Sequence, residues 1–182
     1  MRKSNKRITD MAVIVDLLNT VPVGRLGTIG PDGWPMIKPL NFAYLDGRLY
    51  FHCALEGEKL DHIRYESRVC FELDLPIAYV QGTHEHPCRA EYLYRSIIIR
   101  GQARLIEESA EKVRALDALM AKYQPAETFG AYPEEKLAIT GIVRIDIEEV
   151  VGKEDLGKGE LEAQALAALR SGTDLPLVIS RN

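Results

Sequence analysis

Apolar and polar positions along the chain follow two periods. Across residues 68–74, Val69, Phe71 and Leu73 alternate with Cys70, Glu72 and Asp74, the two-residue period of a half-buried strand. Over Ser109–Tyr123, Val113, Leu116, Leu119 and Met120 recur at helical spacing opposite Glu111 and Lys112, which predicts an amphipathic helix. The same criteria predict a helix over residues 10–19, capped by Asp10, carrying Met11, Ile14, Val15 and Leu18, and ended by Pro22. Strands are predicted over Gly24–Ile29, 35–44 and 49–53, separated by the turns Gly30-Pro31-Asp32-Gly33 and Leu45-Asp46-Gly47-Arg48. A short helix follows over Glu58–Tyr65. Residues 75–90 show no period and read as a long loop. A long strand covers 92–106, with a possible break at Gly101, and the last strand covers 142–150. A Leu/Ala helix over 160–170 precedes an apolar tail, 175–179. Six strands joined mostly by tight hairpins pair antiparallel and close best as a small barrel, which removes sheet edges.

Composition narrows the class. With 182 residues the chain has the length of about one domain. Hydrophobic residues make up 46% and charged residues 27%, values ordinary for a globular protein. The net charge of −4 argues against general affinity for nucleic acid or an anionic membrane. No apolar run has the length of a membrane span or a signal peptide. The basic start, Met1 to Arg7, reads as a frayed, solvated terminus. Cys53, Cys70 and Cys88 form no disulfide pattern, so a cytoplasmic setting is expected.

Candidate chemistry concentrates in two segments. Strand parity puts Leu49, Phe51 and Cys53 on the core face and sends Tyr50 and His52 to the other, towards a cleft or a partner subunit. Gly57 permits close approach of a ligand to the backbone. Lys59 falls near a helix N-terminus, where the helix dipole disfavours a cation by about 0.3–1 kcal/mol. A phosphate at that terminus would reverse the cost; by spacing alone Lys59 reads first as a surface lysine bent into water, and His52 equally as a structural histidine. In the other segment Pro39 cannot donate a ladder bond. A flat heteroaromatic ring beside Asn41 would suit that edge, as would a bulge or an edge strand with no ligand.

Taken in order, Pro39-Leu40-Asn41-Phe42, Tyr50-Phe51-His52-Cys53-Ala54 with Gly57 and Lys59, Arg68 to Glu72, Tyr94-Arg95-Ser96-Ile97-Ile98, Gly101-Gln102-Ala103, and Ile145 to Glu149 with Gly152-Lys153 resemble the nitroimidazole-resistance (Nim) proteins of the pyridoxamine 5′-phosphate oxidase-like superfamily. The resemblance runs over residues 8–153. It implies a mainly β fold, a six-stranded antiparallel split β-barrel (the FMN-binding split barrel) with peripheral helices. Residues 1–152 would form this domain and 153–182 a C-terminal helical appendage of it. It further implies a homodimer with FMN at the subunit interface. Lys38, Pro39, Leu40 and Asn41 would border the flavin ring, and His52, Cys53 and Ala54 the ribityl and phosphate side. Lys59, with Gly57 nearby, would bind the phosphate, and Tyr94, Arg95 and Ser96 would come from the other subunit. His52 matches the active-site histidine of the family; an imidazole changes charge near physiological pH and can serve as a proton donor. Relatives with activity reduce a nitro group to an amine. FAD in place of FMN stays open, as do haem with His52 as axial ligand and a flavin carrier or sensor without catalysis. The loop His84-Glu85-His86-Pro87-Cys88 departs from the family; it lacks a second ligand pair at zinc spacing, and no metal site is expected.

Overall fold

A computed structural model of the protein describes residues 4–125 and 128–180. The strands are β1 (Arg7–Ile8), β2 (Gly24–Ile29), β3 (Pro35–Leu40), β4 (Ala43–Leu45), β5 (Arg48–Cys53), β6 (Arg68–Val80), β7 (Glu91–Leu105), β8 (Gly141–Asp155) and β9 (Val178–Ile179). The helices are α1 (Met11–Thr20), α2 (Glu58–Tyr65), α3 (Ser109–Tyr123), α4 (Glu134–Ile139) and α5 (Glu160–Ser171). All nine strands join one sheet in the order β3-β2-β6-β7-β8-β5-β4, with β1 on β8 and β9 on β6. The chain is therefore mainly β, largely antiparallel, with peripheral helices, and has more strands than the six expected. Among the described residues no helix is long and apolar enough to cross a membrane.

Both predicted turns form. Gly33 N–H donates to Gly30 C=O at 2.9 Å, and Asp46 adopts a φ of 51° at the second turn. The predicted strand 35–44, however, is two strands. β3 pairs with β2, setting Arg25 against Pro39, while β4 pairs with β5, setting Ala43 against Tyr50. These pairings lie at opposite ends of the sheet order, so the chain changes ends at Asn41 and Phe42. Tyr123 makes the crossing possible. Its hydroxyl accepts from Phe42 N–H at 3.1 Å, replacing the ladder bond that this N–H forgoes.

Residues 75–80 belong to β6 rather than to a loop. Buried positions run 69, 71, 73 and then 78, 80. The parity slips by one across Pro76, as at a bulge, and hides the period. β7 passes through Gly101 without a break. A Cβ there would lie 2.2 Å from Asp146 C=O, so glycine is required by the close approach of β8.

The chain divides into two compact units. One comprises Ala12–Leu73 and Ile98–Val150. Phe42, Leu49, Phe51 and Phe71 are fully buried in it, with Phe42 edge-on to Phe71 at 5.0 Å between ring centres. Helix α3 packs Ala115 and Leu116 against Tyr50, Ile106 and Ile142. The other comprises Met1–Met11, Asp74–Ile97 and Val151–Asn182. Its core is Ala78, Val80, Leu93, Leu156 and Ala165, with Leu161, Leu166 and Leu169 of α5 packed on it. The apolar tail ends in β9, parallel to Tyr79 and Val80. The start of the chain is not frayed over its described part: Lys6 pairs with Asp155 and β1 pairs with Lys153 and Gly152. Met1, Arg2 and Lys3 lie outside the described residues.

Candidate functional site

Strand β5 carries the central residues, and its middle is buried on both faces. Leu49 and Phe51 are fully buried, and Tyr50 is only 3% exposed. The face assigned to a cleft is covered at Tyr50, because α3 lies over it. His52, one pleat further, emerges from that cover and is exposed. It lines a cavity of about 440 Å³ together with Asn41, with Leu116, Leu119 and Met120 of α3, and with Lys136 of α4. Asn41 and His52, distant in sequence, thus meet at one cavity.

Tyr123 also lines this cavity and was not recognised in the sequence. The available signal was its position three, four and seven residues beyond Met120, Leu119 and Leu116, on the same helix face. Its hydroxyl donates to Pro22 C=O at 2.7 Å, and Asn41 Nδ2 donates to the same carbonyl at 3.3 Å. The far wall is tied in place by Lys112, whose Nζ donates to Leu137 C=O at 2.8 Å.

The opposite face of β5 carries a different group. Burial pushes the half-buried Cys53 thiol up, while the Lys59 and Arg64 cations pull it back down. Lys59 Nζ lies 4.8 Å from the centre of the Phe51 ring, within cation–π range, and among the described residues no carboxylate pairs with it. Gly57 caps α2 with φ at 119°, a conformation that favours glycine; a Cβ there would meet nothing within 4 Å, so the backbone is open to approach. Leu60 and Asp61 N–H groups close on Gly57 C=O, and the N–H groups of Glu58 and Lys59 precede the first intrahelical bond. Glu58 and Asp61 are the acids of this turn; Asp61 is bound by Arg64 at 3.0 Å. Ala54 is exposed in the connecting loop. His52 with Asn41 and Cys53 with Lys59 are therefore two groups, on the two sides of one strand.

β3 ends the sheet order and, among the described residues, pairs with β2 alone. Lys38 and Pro39 are exposed and Leu40 half-buried. An edge strand tolerates Pro39, whose missing N–H takes no bond from the ladder.

Tyr94, Arg95 and Ser96 belong to the other unit. All three are half-buried. Tyr94 stacks on Tyr92 at 5.4 Å, with Lys153 Nζ 5.3 Å from its ring centre. Arg95 Nε donates to Glu154 at 2.9 Å. His84, Glu85, His86 and Cys88 are exposed, and among the described residues no group of three or more His, Cys, Asp or Glu side chains is placed to hold a metal. His62, unremarked in the sequence, is buried with its Nδ1 3.2 Å from Thr28 Oγ1, the arrangement of a satisfied structural histidine.

Residues 10–154 match the sequence profile of the family described as pyridoxamine 5′-phosphate oxidase. Among solved structures, the chain is similar to a candidate 5-nitroimidazole antibiotic resistance protein from Bacteroides thetaiotaomicron (24% identity, 81% of this chain and 86% of that one, TM-score 0.70). It is similar to the flavocytochrome Anf3 from Azotobacter vinelandii (20% identity, 90% and 77%, TM-score 0.76). It is also similar to an FAD- and haem-binding protein from Mycobacterium smegmatis (23% identity, 90% and 80%, TM-score 0.74). None of the curated proteins matches the sequence. These likenesses bear out the expected fold, a mainly β split barrel with peripheral helices.

Proposed function

The chain belongs to the pyridoxamine 5′-phosphate oxidase family, and we propose that it binds FMN and acts as a reductase of small oxidised compounds, nitroaromatics among them. The observation that carries the reading is the opening of α2. Lys59, without a carboxylate partner among the described residues, stands beside the backbone left open by Gly57 and beside N–H groups that have no helical acceptor. That donor set fits a phosphate. Arg64, bound to Asp61, adds positive charge near Cys53. Lys38, Pro39, Leu40 and Asn41 would border the ring, on and just after a strand that pairs on one side only among the described residues.

When bound, the flavin supplies the electrons; the chain supplies binding, orientation and a proton. His52, exposed at the cavity, would deliver that proton from its imidazole N–H to the substrate. The apolar wall of α3 would keep water from the reacting group. Trp34 and Ile37, 75% and 68% exposed at the β2–β3 hairpin, favour a homodimer that covers them. Tyr94, Arg95 and Ser96 would then be offered to the second copy.

A second reading is haem ligation by His52. It is favoured by the apolar lining of the cavity that His52 faces, and two of the similar structures are a flavocytochrome and an FAD- and haem-binding protein. Absorbance and mass spectrometry of freshly purified protein separate the readings. A flavin spectrum with the mass of FMN is expected. The mass of FAD would change the cofactor, a Soret band would favour haem, and colourless protein that takes up neither would sink both. Lys59→Ala should lose the flavin. Anaerobic turnover of a nitroimidazole with a chemical reductant is expected of the reductase; flavin-loaded protein without turnover would be a carrier or sensor.

A further inference from the structure

The geometry points to a binding site for a lipophilic carboxylate in the cavity between β5, α3 and α4. Its volume of about 440 Å³ lies in the range of cavities that hold small organic ligands. Leu116, Leu119 and Met120 form an apolar wall, which selects an apolar body. The charged complement is one-sided. Lys136 lines the cavity with the imidazole of His52, a hydrogen-bonding group, and among the described residues no carboxylate does. Of the nearby acids, Glu111 accepts from Tyr50 and Arg144, Asp117 accepts from the Tyr132 hydroxyl at 2.9 Å, and Glu134 and Glu135, beside Lys136 on α4, do not line the cavity. Lys136 has no ion pair among the described residues. Lys136 and His52 are both exposed, so they stand at the mouth, while the leucines and the methionine lie inside. A ligand that places its ring against α3 and its carboxylate at the mouth satisfies both. A neutral isostere leaves Lys136 unmatched, and a cation is repelled.

Binding at this cavity does not depend on flavin; only its role as the substrate site of a reductase rests on that proposal. Full-length protein is titrated calorimetrically with 1-naphthoate and with the neutral 1-naphthamide. Naphthoate is expected to bind one site per chain at least about tenfold more tightly than the amide, about 1.4 kcal/mol. Lys136→Met should reduce naphthoate to the level of the amide without affecting the amide. Met120→Trp, which fills the cavity, should weaken both; thermal unfolding confirms that each variant is folded, and Leu116→Phe replaces Met120→Trp if that variant is not. Lys59→Ala should keep naphthoate binding after losing flavin, so failure of the flavin proposal and failure of this site give different results. Acid and amide binding equally, or naphthoate binding that survives both Lys136→Met and the cavity-filling variant, would overturn the site.

Discussion

The Tyr50 hydroxyl donates to Glu111 Oε1 at 2.9 Å, and the same oxygen accepts from Arg144 at 2.7 Å. One carboxylate on α3 therefore binds β5 and β8 at once. Arg144 is nearly buried, its side chain 9% exposed. It also donates through Nη2 to Asp146 at 3.1 Å. Its Nε lies 3.0 Å from the other oxygen of Asp146 yet makes no aligned hydrogen bond; that contact is attraction between charges, weaker than a directed bond. Burial, then the bond to Glu111, raises the Tyr50 phenol above its ordinary range. The cluster fixes the helix whose next turns wall the cavity.

Glu111→Ala should destabilise the protein by about 1–3 kcal/mol, because it leaves a nearly buried guanidinium with one partner. Tyr50→Phe should cost less, about 0.5–1.5 kcal/mol. The double variant should fall short of the sum, since both act through one oxygen. Urea unfolding of the four proteins measures the coupling; strict additivity would show that Tyr50 does not act through Glu111.

Tyr123→Phe should cost about 1–3 kcal/mol. It strips the partner from Phe42 N–H and leaves Pro22 C=O with only the longer bond from Asn41, where the chain changes ends of the sheet. At this chain length that is a fall in Tm of roughly 2–4 °C per kcal/mol. An unchanged Tm would mean that the hydroxyl does not hold the crossing.

Lys122 sets a pH dependence. Its ammonium lies 3.6 Å from the centre of the Phe42 ring and donates to Leu18 C=O at 2.9 Å, and burial pulls it from 10.5 down to about 8. Between those values the unfolded chain binds the extra proton, so this lysine's contribution to stability rises with pH across that window. The ring and the carbonyl favour the charged form and oppose the effect of burial. Chemical denaturation at pH 7.5 and pH 10, with Lys122→Met as reference, isolates the contribution. The native protein should gain stability relative to the variant on going to the higher pH; a relative loss would show that the ring contact outweighs burial.

Cys53 should alkylate more slowly with iodoacetamide at pH 8 than exposed Cys70 and Cys88, because burial raises its thiol. Lys59→Ala should slow it further by removing a cation that favours the thiolate. Peptide mass spectrometry reads both rates; faster labelling in that variant would show that Lys59 shields the sulfur rather than tuning it.

Much of the local structure was legible in the residues. The turns at Gly30–Gly33 and Asp46–Gly47, the strand Gly24–Ile29 and the helices Glu58–Tyr65 and Ser109–Tyr123 follow from backbone preference and period, which act within a few residues. The second half of β6 was not legible, because the burial parity reverses between Leu73 and Ala78. Helix α4 was missed because six residues are too few for a helical period to declare itself.

The sequence by itself determined the alternation that buries Phe51 and exposes His52, the glycine that opens α2, and the order of motifs that marks the family. Tertiary structure alone decided that residues 35–45 serve two ends of the sheet. It also decided that Tyr50 is covered while His52 is not, and that Asn41, His52 and Tyr123 share one cavity. Period records which side of a strand a residue occupies. What lies against that side depends on contacts between residues such as Phe42 and Tyr123, 81 positions apart, which no local pattern encodes.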